Sequence, residues 1–374
     1  MESKLLPEVC KIQYGFPFDA ARFSNSDGKP LVRIRDVIRG YSETYTTESC
    51  GSEYIVQNGD MLIGMDGEFN IAKWNGGEAL LNQRVCKLIP TDVDSGYLFY
   101  YMPKILKQIE AETPYVTVKH LSAKRLNEIT IPIPSMQYQK RIATVLDKIS
   151  ALITLRKQQL AKLDELVKAR FVEMFGLPRT DVKGWGLTAL GKCCQLNPRR
   201  PKDMATDMDY SFVAMPSVSE DGRIDPSILR PYSEICKGFT YFEENDVLFA
   251  KITPCMENGK GGIAIGLKNG AGFGSTEFHI LRPIQGKSNP YWLYAITSFK
   301  MFRINAAKVM TGTGGQRRVP LSYLEEYPIT LPPLDLQERF AAFMRQSEKT
   351  RLTIQRGLAK LETLKRALMQ EYFG

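Results

Sequence analysis

The chain has 374 residues, more than one domain usually holds, so two or more folded units are expected. With 43% hydrophobic and 24% charged residues it has an ordinary globular composition, and it lacks the run of about 18 apolar residues that a membrane span needs. A net charge of +9 points to a polyanionic partner, while a total of two histidines excludes an H-E-x-x-H zinc site and leaves little room for a histidine-based nucleophile.

Taken in chain order, the N-terminus has no apolar h-region, so no cleaved secretory signal is expected. Leu31 to Val37 alternates like a strand, and Asp60 opens a short apolar strand. Tyr97 to Ile109 has the spacing of an amphipathic helix. Two prolines then hold Ile131-Pro132-Ile133-Pro134 extended, and Ser135 is placed to act as an N-cap. No proline or glycine interrupts residues 136–175, where Ile142, Leu146, Ile149, Ile153, Leu160, Leu163, Val167 and Met174 form a coiled-coil seam broken at Arg156 and Arg170. Gly176 to Trp185 reads as a hinge. Beyond it, Asp246 opens a second apolar strand, and Gly270 to Gly274 reads as a turn. Tyr291 to Ile304 reads as another amphipathic helix. Asp335 follows Leu331-Pro332-Pro333 as the N-cap of a last helix, with its seam at Ile354, Leu358, Leu361, Leu364, Leu368 and Tyr372.

An internal repeat organises these elements. Residues 126–176 and 324–374 align without a gap, with identities at Leu126/Leu324, Pro134/Pro332, Gln139/Gln337, Arg141/Arg339 and Ala143/Ala341. Leu160-Ala161-Lys162-Leu163 recurs as Leu358-Ala359-Lys360-Leu361, and both copies close on Phe-Gly. Upstream the copies correspond more loosely, Asn58 to Leu62 with Glu244 to Leu248. The expected fold is α/β (α+β), two similar globular units each followed by a long helix. The segments are 1–134, 135–177, 178–333 and 334–374. At 1.5 Å per residue each helix would span roughly 55–60 Å. Two such seams in one chain are expected to pack as an antiparallel coiled coil that relates the repeats by a pseudo-twofold axis.

Searches for catalytic chemistry fail. Gly286-Lys287-Ser288 lacks the first P-loop glycine, because Leu281 stands there. Asn289-Pro290-Tyr291-Trp292 lacks the second proline of an amino-methyltransferase motif, and Asp181-Val182-Lys183, with nuclease-like spacing, lies in the hinge. The seven cysteines form no C-x-x-C pair and read as reduced, mostly buried thiols of a cytoplasmic protein. No metal ligands or catalytic residues are assigned. His279, in an alternating strand opposite Cys86 of the first copy, reads as structural.

Polar loops are better suited to touching DNA. Gly312-Thr313-Gly314-Gly315-Gln316-Arg317-Arg318 combines glycines, which let the backbone approach phosphate, with Gln and Arg, which can bond adenine and guanine edges in pairs. The candidate DNA-binding set is Lys73, Arg84, Lys119, His120, Lys124, Arg125, Arg199, Arg200, Lys251, Lys260, Thr313, Gln316, Arg317 and Arg318; a solvated surface loop is the alternative reading of each. The two long helices hold +8 of the net +9, leaving the globular units nearly neutral. Partners are therefore expected to supply part of any grip on DNA.

This order resembles the specificity subunit of type I restriction-modification systems. The supporting motifs are Asn58-Gly59-Asp60-Met61-Leu62-Ile63, Ser275-Thr276-Glu277-Phe278, the loop from Gly312 to Arg318, the proline-rich step into Gln139 and Gln337, the Phe-Gly helix endings and the Gly184-Trp185 restart. The resemblance implies two target recognition domains, each reading one half of an interrupted double-stranded DNA sequence. It implies helices that fix the gap and dock two methyltransferase subunits and, through them, restriction and translocase subunits. It also implies no catalytic residues here, with S-adenosylmethionine, ATP and magnesium on the partners. Helix length would cap the spacing of half-site centres at roughly 17 base pairs, with about one helical turn expected if both units enter one DNA face. Three rivals stand beside it: the recognition half of a fused nuclease-methyltransferase, a coiled-coil scaffold without sequence specificity, and a single-stranded RNA binder, for which no paired aromatic platform is visible.

Overall fold

The computed structural model describes residues 2–113 and 119–374. The chain divides into two compact units, one of residues Met1–Lys157 and Arg356–Gly374, the other of Gln158–Gln355. Compactness thus cuts through both long helices, so that each unit holds a stretch of each.

The first unit is centred on a four-stranded sheet of β1 (Cys10–Tyr14), β2 (Met61–Gly64), β3 (Asn70–Lys73) and β4 (Val85–Pro90), in the order β1-β4-β2-β3 and antiparallel throughout. β2 is apolar along its whole length because both of its faces are covered. Met61 and Ile63 pack with Leu98 and Met102 of α1 (Ser95–Glu112), while Leu62 joins Val32, Val56 and Leu81 of a second, five-stranded sheet. Asp60 prepares this strand by accepting the Gln57 N–H at 2.8 Å, which closes the preceding turn.

The second unit repeats the plan. Its central sheet holds β5 (Cys194–Leu196), β6 (Val247–Ala250), β7 (Gly261–Ile263) and β8 (Phe278–Pro283), in the order β5-β8-β6-β7. Val247 and Phe249 face Trp292, Leu293 and Ile296, whereas Leu248 and Ala250 face Val213 and Phe242 of a second sheet. Asp246 accepts the Glu243 N–H at 2.7 Å, as Asp60 does for Gln57. Register pairs Cys86 with Ile63 and His279 with Phe249, so Cys86 and His279 hold the same place in the two sheets.

The long helices are α2 (Met136–Phe175) and, after α3 (Pro290–Ser298) and α4 (Lys300–Lys308), α5 (Leu334–Phe373). Within each unit their segments run antiparallel. In the first, Ile142 and Leu146 share a core with Leu368 and Phe373, and Lys157 pairs with Glu362 at 3.4 Å. In the second, Phe171 and Phe175 stack edge-on against Phe340, with centroids 5.5 and 5.4 Å apart, and Asp164 pairs with Arg351. The expected seam is deepest near the globular bodies, where Ile142, Leu146 and Ile149 are buried. It is half-buried at Ile153, Leu160, Leu163, Ile354, Leu358, Leu361 and Leu368.

Five local expectations are corrected. The strand from Leu31 stops at Val32, because Asp36 accepts the Arg33 N–H at 3.0 Å and starts a helix over Ile34–Arg39. Tyr291 to Ile304 is two helices rather than one, broken where Phe299 takes extended φ/ψ. Residues 271–274 are a buried strand of the second sheet, not a turn, with Gly272 lying against the Phe242 ring. Asp335 sits inside the first turn of α5, where its charge favours the helix N-terminus, and Leu364 faces outward instead of into the seam.

Candidate nucleic-acid interface

In the first unit the chain leaves β2 and meets the segment that follows α1. Asp66 forms a β-bridge with His120, the Gly67 N–H donates to the Lys119 carbonyl at 2.9 Å, and the Leu121 N–H donates to the Met65 carbonyl at 2.7 Å. The Met65 N–H reaches the Arg84 carbonyl at 3.0 Å. The second unit makes the same set. Ile252 bridges Arg318, Thr253 N–H donates to Arg317 at 2.9 Å, Val319 N–H to Lys251 at 2.9 Å, and Lys251 N–H to Glu277 at 2.9 Å. Backbone equivalence follows directly: Asp66 with Ile252, Arg84 with Glu277, Lys119 with Arg317, and His120 with Arg318.

The side chains at these stations differ. In the first unit Asp66 receives His120 Nδ1 at 2.5 Å and Arg84 Nε at 3.5 Å. In the second, Ile252 replaces the aspartate and the acid moves to the neighbouring strand. There Glu277 binds Arg318 in a bidentate pair, with Nη2 to Oε1 at 2.8 Å and Nε to Oε2 at 2.9 Å. Hydrogen bonding from Arg318 holds the Glu277 carboxyl below the usual carboxylate range. Lys251 lies beside this pair, its ammonium pulled down by burial and partly restored by Glu277. Gly312, Gly314 and Gly315 take positive φ, so the loop carrying Thr313 and Gln316 needs glycine at those positions; the Gln316 carbonyl accepts Arg318 Nη1 at 3.0 Å.

Lys119 and Arg317 do something else. Each donates, at 2.6 Å, to a carbonyl at the end of the preceding helix, Glu110 of α1 and Ala307 of α4 respectively. They add a donor to last-turn carbonyls, where helical pairing runs out, although the Glu110 carbonyl also accepts the Thr113 N–H at 3.3 Å.

The structure therefore brings Arg84, Lys119 and His120 together in one unit. In the other it gathers Lys251, Thr313, Gln316, Arg317 and Arg318. The remaining candidates lie on separate elements. Lys73 Nζ sits 5.0 Å from the Phe99 ring centroid. Lys124 and Arg125, in the helix Ala123–Asn127, face Glu128 at 3.9 Å and Glu112 at 3.5 Å. Arg199 is exposed beside Arg200, which stacks over Tyr232 and donates to the Cys236 carbonyl at 2.9 Å. Lys260 donates to the Met215 carbonyl at 3.0 Å. Asp66 and Glu277 escape sequence reasoning as site residues, since only the strand register shows which base each acid meets.

His279 is buried, its ring held between the Asn197 amide at 3.2 Å and the Val319 carbonyl at 2.9 Å. Burial lowers its pKa and keeps the ring neutral. In the hinge, both Asp181 oxygens accept backbone N–H groups, of Trp185 and Gly186, which gives the D-x-K aspartate a turn-forming role. Asn289 caps α3 by accepting the Tyr291 N–H at 2.9 Å. The Cys86 and Cys194 thiols are buried, and burial pushes both up to about 12, so neither is poised as a nucleophile. Among the described residues no helix is long and apolar enough to cross a membrane.

Comparison with known proteins places this geometry. The type I restriction modification DNA specificity domain matches twice, over residues 1–165 and 183–363. The EcoBI specificity subunit of Escherichia coli is 40% identical over 166 residues, covering 44% of this chain and 35% of that protein. The EcoEI specificity subunit, also of Escherichia coli, is 36% identical over 211 residues, 55% of this chain and 33% of that one. Each match thus takes in about a third of the relative's length. The crystal structure of a type I restriction-modification S subunit from M. genitalium shares the fold, at 12% identity and a TM-score of 0.63, over 100% of this chain and 96% of that one. A structure described for complex assembly and conformational transition of the type I system aligns at 16% identity with a TM-score of 0.54, over 100% and 97% of the two chains. With one match in each globular unit and its adjoining helix, the chain belongs to the type I restriction modification DNA specificity domain family.

Proposed function

We propose that this chain is the sequence-recognition subunit of a type I restriction-modification enzyme. Each globular unit reads one half of an interrupted double-stranded DNA target. The long helices hold the gap between the half-sites and dock methyltransferase subunits, two in number, and through them restriction and translocase subunits. The chain itself is non-catalytic and cytoplasmic in this reading, with S-adenosylmethionine, ATP and magnesium on the partners.

One observation supports it above the rest. Three backbone hydrogen bonds and one β-bridge recur around His120 and Arg318, yet the side chains on that frame differ between units. A shared frame with different exposed chemistry is what two readers of two different half-sites require. Leu152 and Leu155 in the first unit, and Leu166 and Leu352 in the second, are exposed on the long helices and offer apolar contacts for the partner subunits.

The test is selection from a random duplex library by the chain co-expressed with its neighbouring methyltransferase. Recovery of a two-part motif with a fixed gap supports the reading. Tight assembly without sequence enrichment would leave a scaffold instead.

A further inference from the structure

We infer that the station shared by His120 and Arg318 is the base-reading position of each unit, His120 serving one half-site and Arg318 the other. Each is held by its own carboxylate, Asp66 or Glu277. This deepens the recognition reading above and rests on it.

The geometry of Arg318 carries the inference furthest. Glu277 takes the Nε and Nη2 side of the guanidinium, and the Gln316 carbonyl takes one Nη1 hydrogen. Of the five N–H groups on an arginine, two have no partner among the described residues, one on each terminal nitrogen. A guanidinium fixed on one edge and free at its end is prepared to meet the O6 and N7 acceptors of guanine in the major groove. Fixing the side chain beforehand removes much of the rotamer entropy that ordering it on DNA would otherwise cost. The side chain remains 41% exposed despite the pair, so its free end is accessible. Glycines on the adjoining loop leave the backbone beside it without side-chain bulk.

His120 has the same arrangement with a different reach. Asp66 engages Nδ1, no partner meets Nε2 among the described residues, and the side chain is 47% exposed. A single ring nitrogen reads one base-edge group rather than two, so this unit reads a different chemical feature from the same backbone position.

The relocation of the acid separates this from an incidental surface pair. Exposed ion pairs contribute little to stability, with a median of roughly 0–1 kcal/mol, so nothing in folding alone requires one here. The first unit supplies the acid from the residue that bridges His120, Asp66. The second has Ile252 at that position and supplies its acid from Glu277, the counterpart of Arg84. Two different solutions to one requirement indicate that the requirement is a nitrogen-bearing side chain held by a carboxylate at this station.

The experiment repeats the library selection with the full chain in its methyltransferase complex, comparing wild type with H120A, R318A, D66N and E277Q. R318A is expected to lose about tenfold discrimination at one base pair of one half-site, with the other half and the gap unchanged; H120A is expected to do the same in the opposite half. E277Q and D66N should weaken discrimination at the same base pairs as their partners, which a purely stabilising role would not produce. Thermal melting of each complex separates loss of fold from loss of reading. A wild-type two-part motif left unchanged by all four variants would overturn this inference while leaving the recognition reading intact. A wild-type complex with no motif would instead overturn the reading on which it rests.

Discussion

Gln139 and Gln337, near the starts of the two long helices, make the same tethers in separate units. Each side-chain carbonyl accepts the N–H of the residue that caps the adjoining helix, Asp94 at 2.8 Å and Asn289 at 2.9 Å. Each side-chain amide donates at 2.9 Å to a proline carbonyl in the preceding step, Pro134 and Pro332. Both glutamines are buried, so these bonds lock the direction in which each long helix leaves its globular body.

Replacing either glutamine by leucine leaves a part-buried N–H and at least one part-buried or buried carbonyl without its partner. Q139L and Q337L should each destabilise the fold by about 1–3 kcal/mol, read as a lower urea midpoint. Midpoints unchanged from wild type would show that water replaces the tethers.

Phe340 stacks against Phe171 and Phe175 and is fully buried, so F340A should cost about 3–5 kcal/mol through lost burial and the cavity left behind. Phe373 plays the corresponding part against Tyr97 and Tyr101, with ring centroids 5.5 and 5.8 Å away. F373A should therefore also lower the denaturation midpoint, through the same loss of aromatic burial. An F340A protein as stable as wild type would contradict the helix pairing described for the second unit.

His279 sets a pH dependence. Its Nε2 faces a carbonyl and must donate, so Nδ1 accepts from the Asn197 amide, and the neutral ring satisfies both contacts. Asn197 is held in that orientation because its Oδ1 accepts the Ile280 N–H at 2.9 Å. With its folded pKa lowered by burial, the unfolded chain takes up a proton first as pH falls below about 6.5. Stability contributed by the neutral ring is thus present above that pH and is lost as pH falls toward the folded pKa. Denaturation midpoints from pH 7.5 to 5 should drop in wild type and drop less in H279Q; parallel curves would remove His279 as the cause.

Lys119 and Arg317 should behave unlike their neighbours His120 and Arg318. As helix-end caps they contribute stability, so K119A and R317A should cost about 0.5–1.5 kcal/mol in a denaturant titration. Sequence preference in the selected DNA motif should stay the same. A changed base preference in R317A would make it a reader as well as a cap.

The repeat and its long helices were legible in the sequence because 3.6-residue periodicity and ungapped identities are local signals. They span residues 126–176 and 324–374. Strands opened by Asp60 and Asp246 were legible for the same reason, since a turn-forming aspartate precedes an apolar run. The strand Ala271–Gly274 was hidden, because three small residues and one Phe carry no alternation, and only the Phe242 ring packed on Gly272 makes them a core strand. Loop composition and position in the repeat singled out His120 and Arg318 but not Asp66 and Glu277. Those acids meet His120 and Arg318 from 54 and 41 residues away in sequence, a relationship no local pattern encodes.

The most direct test of the account exchanges residues 178–333 for the matching segment of a relative and repeats the DNA selection with the assembled complex. The account predicts that one half of the recovered motif changes while the other half and the gap stay fixed. A motif changed in both halves, or one that keeps both, would contradict the assignment of one half-site to each unit.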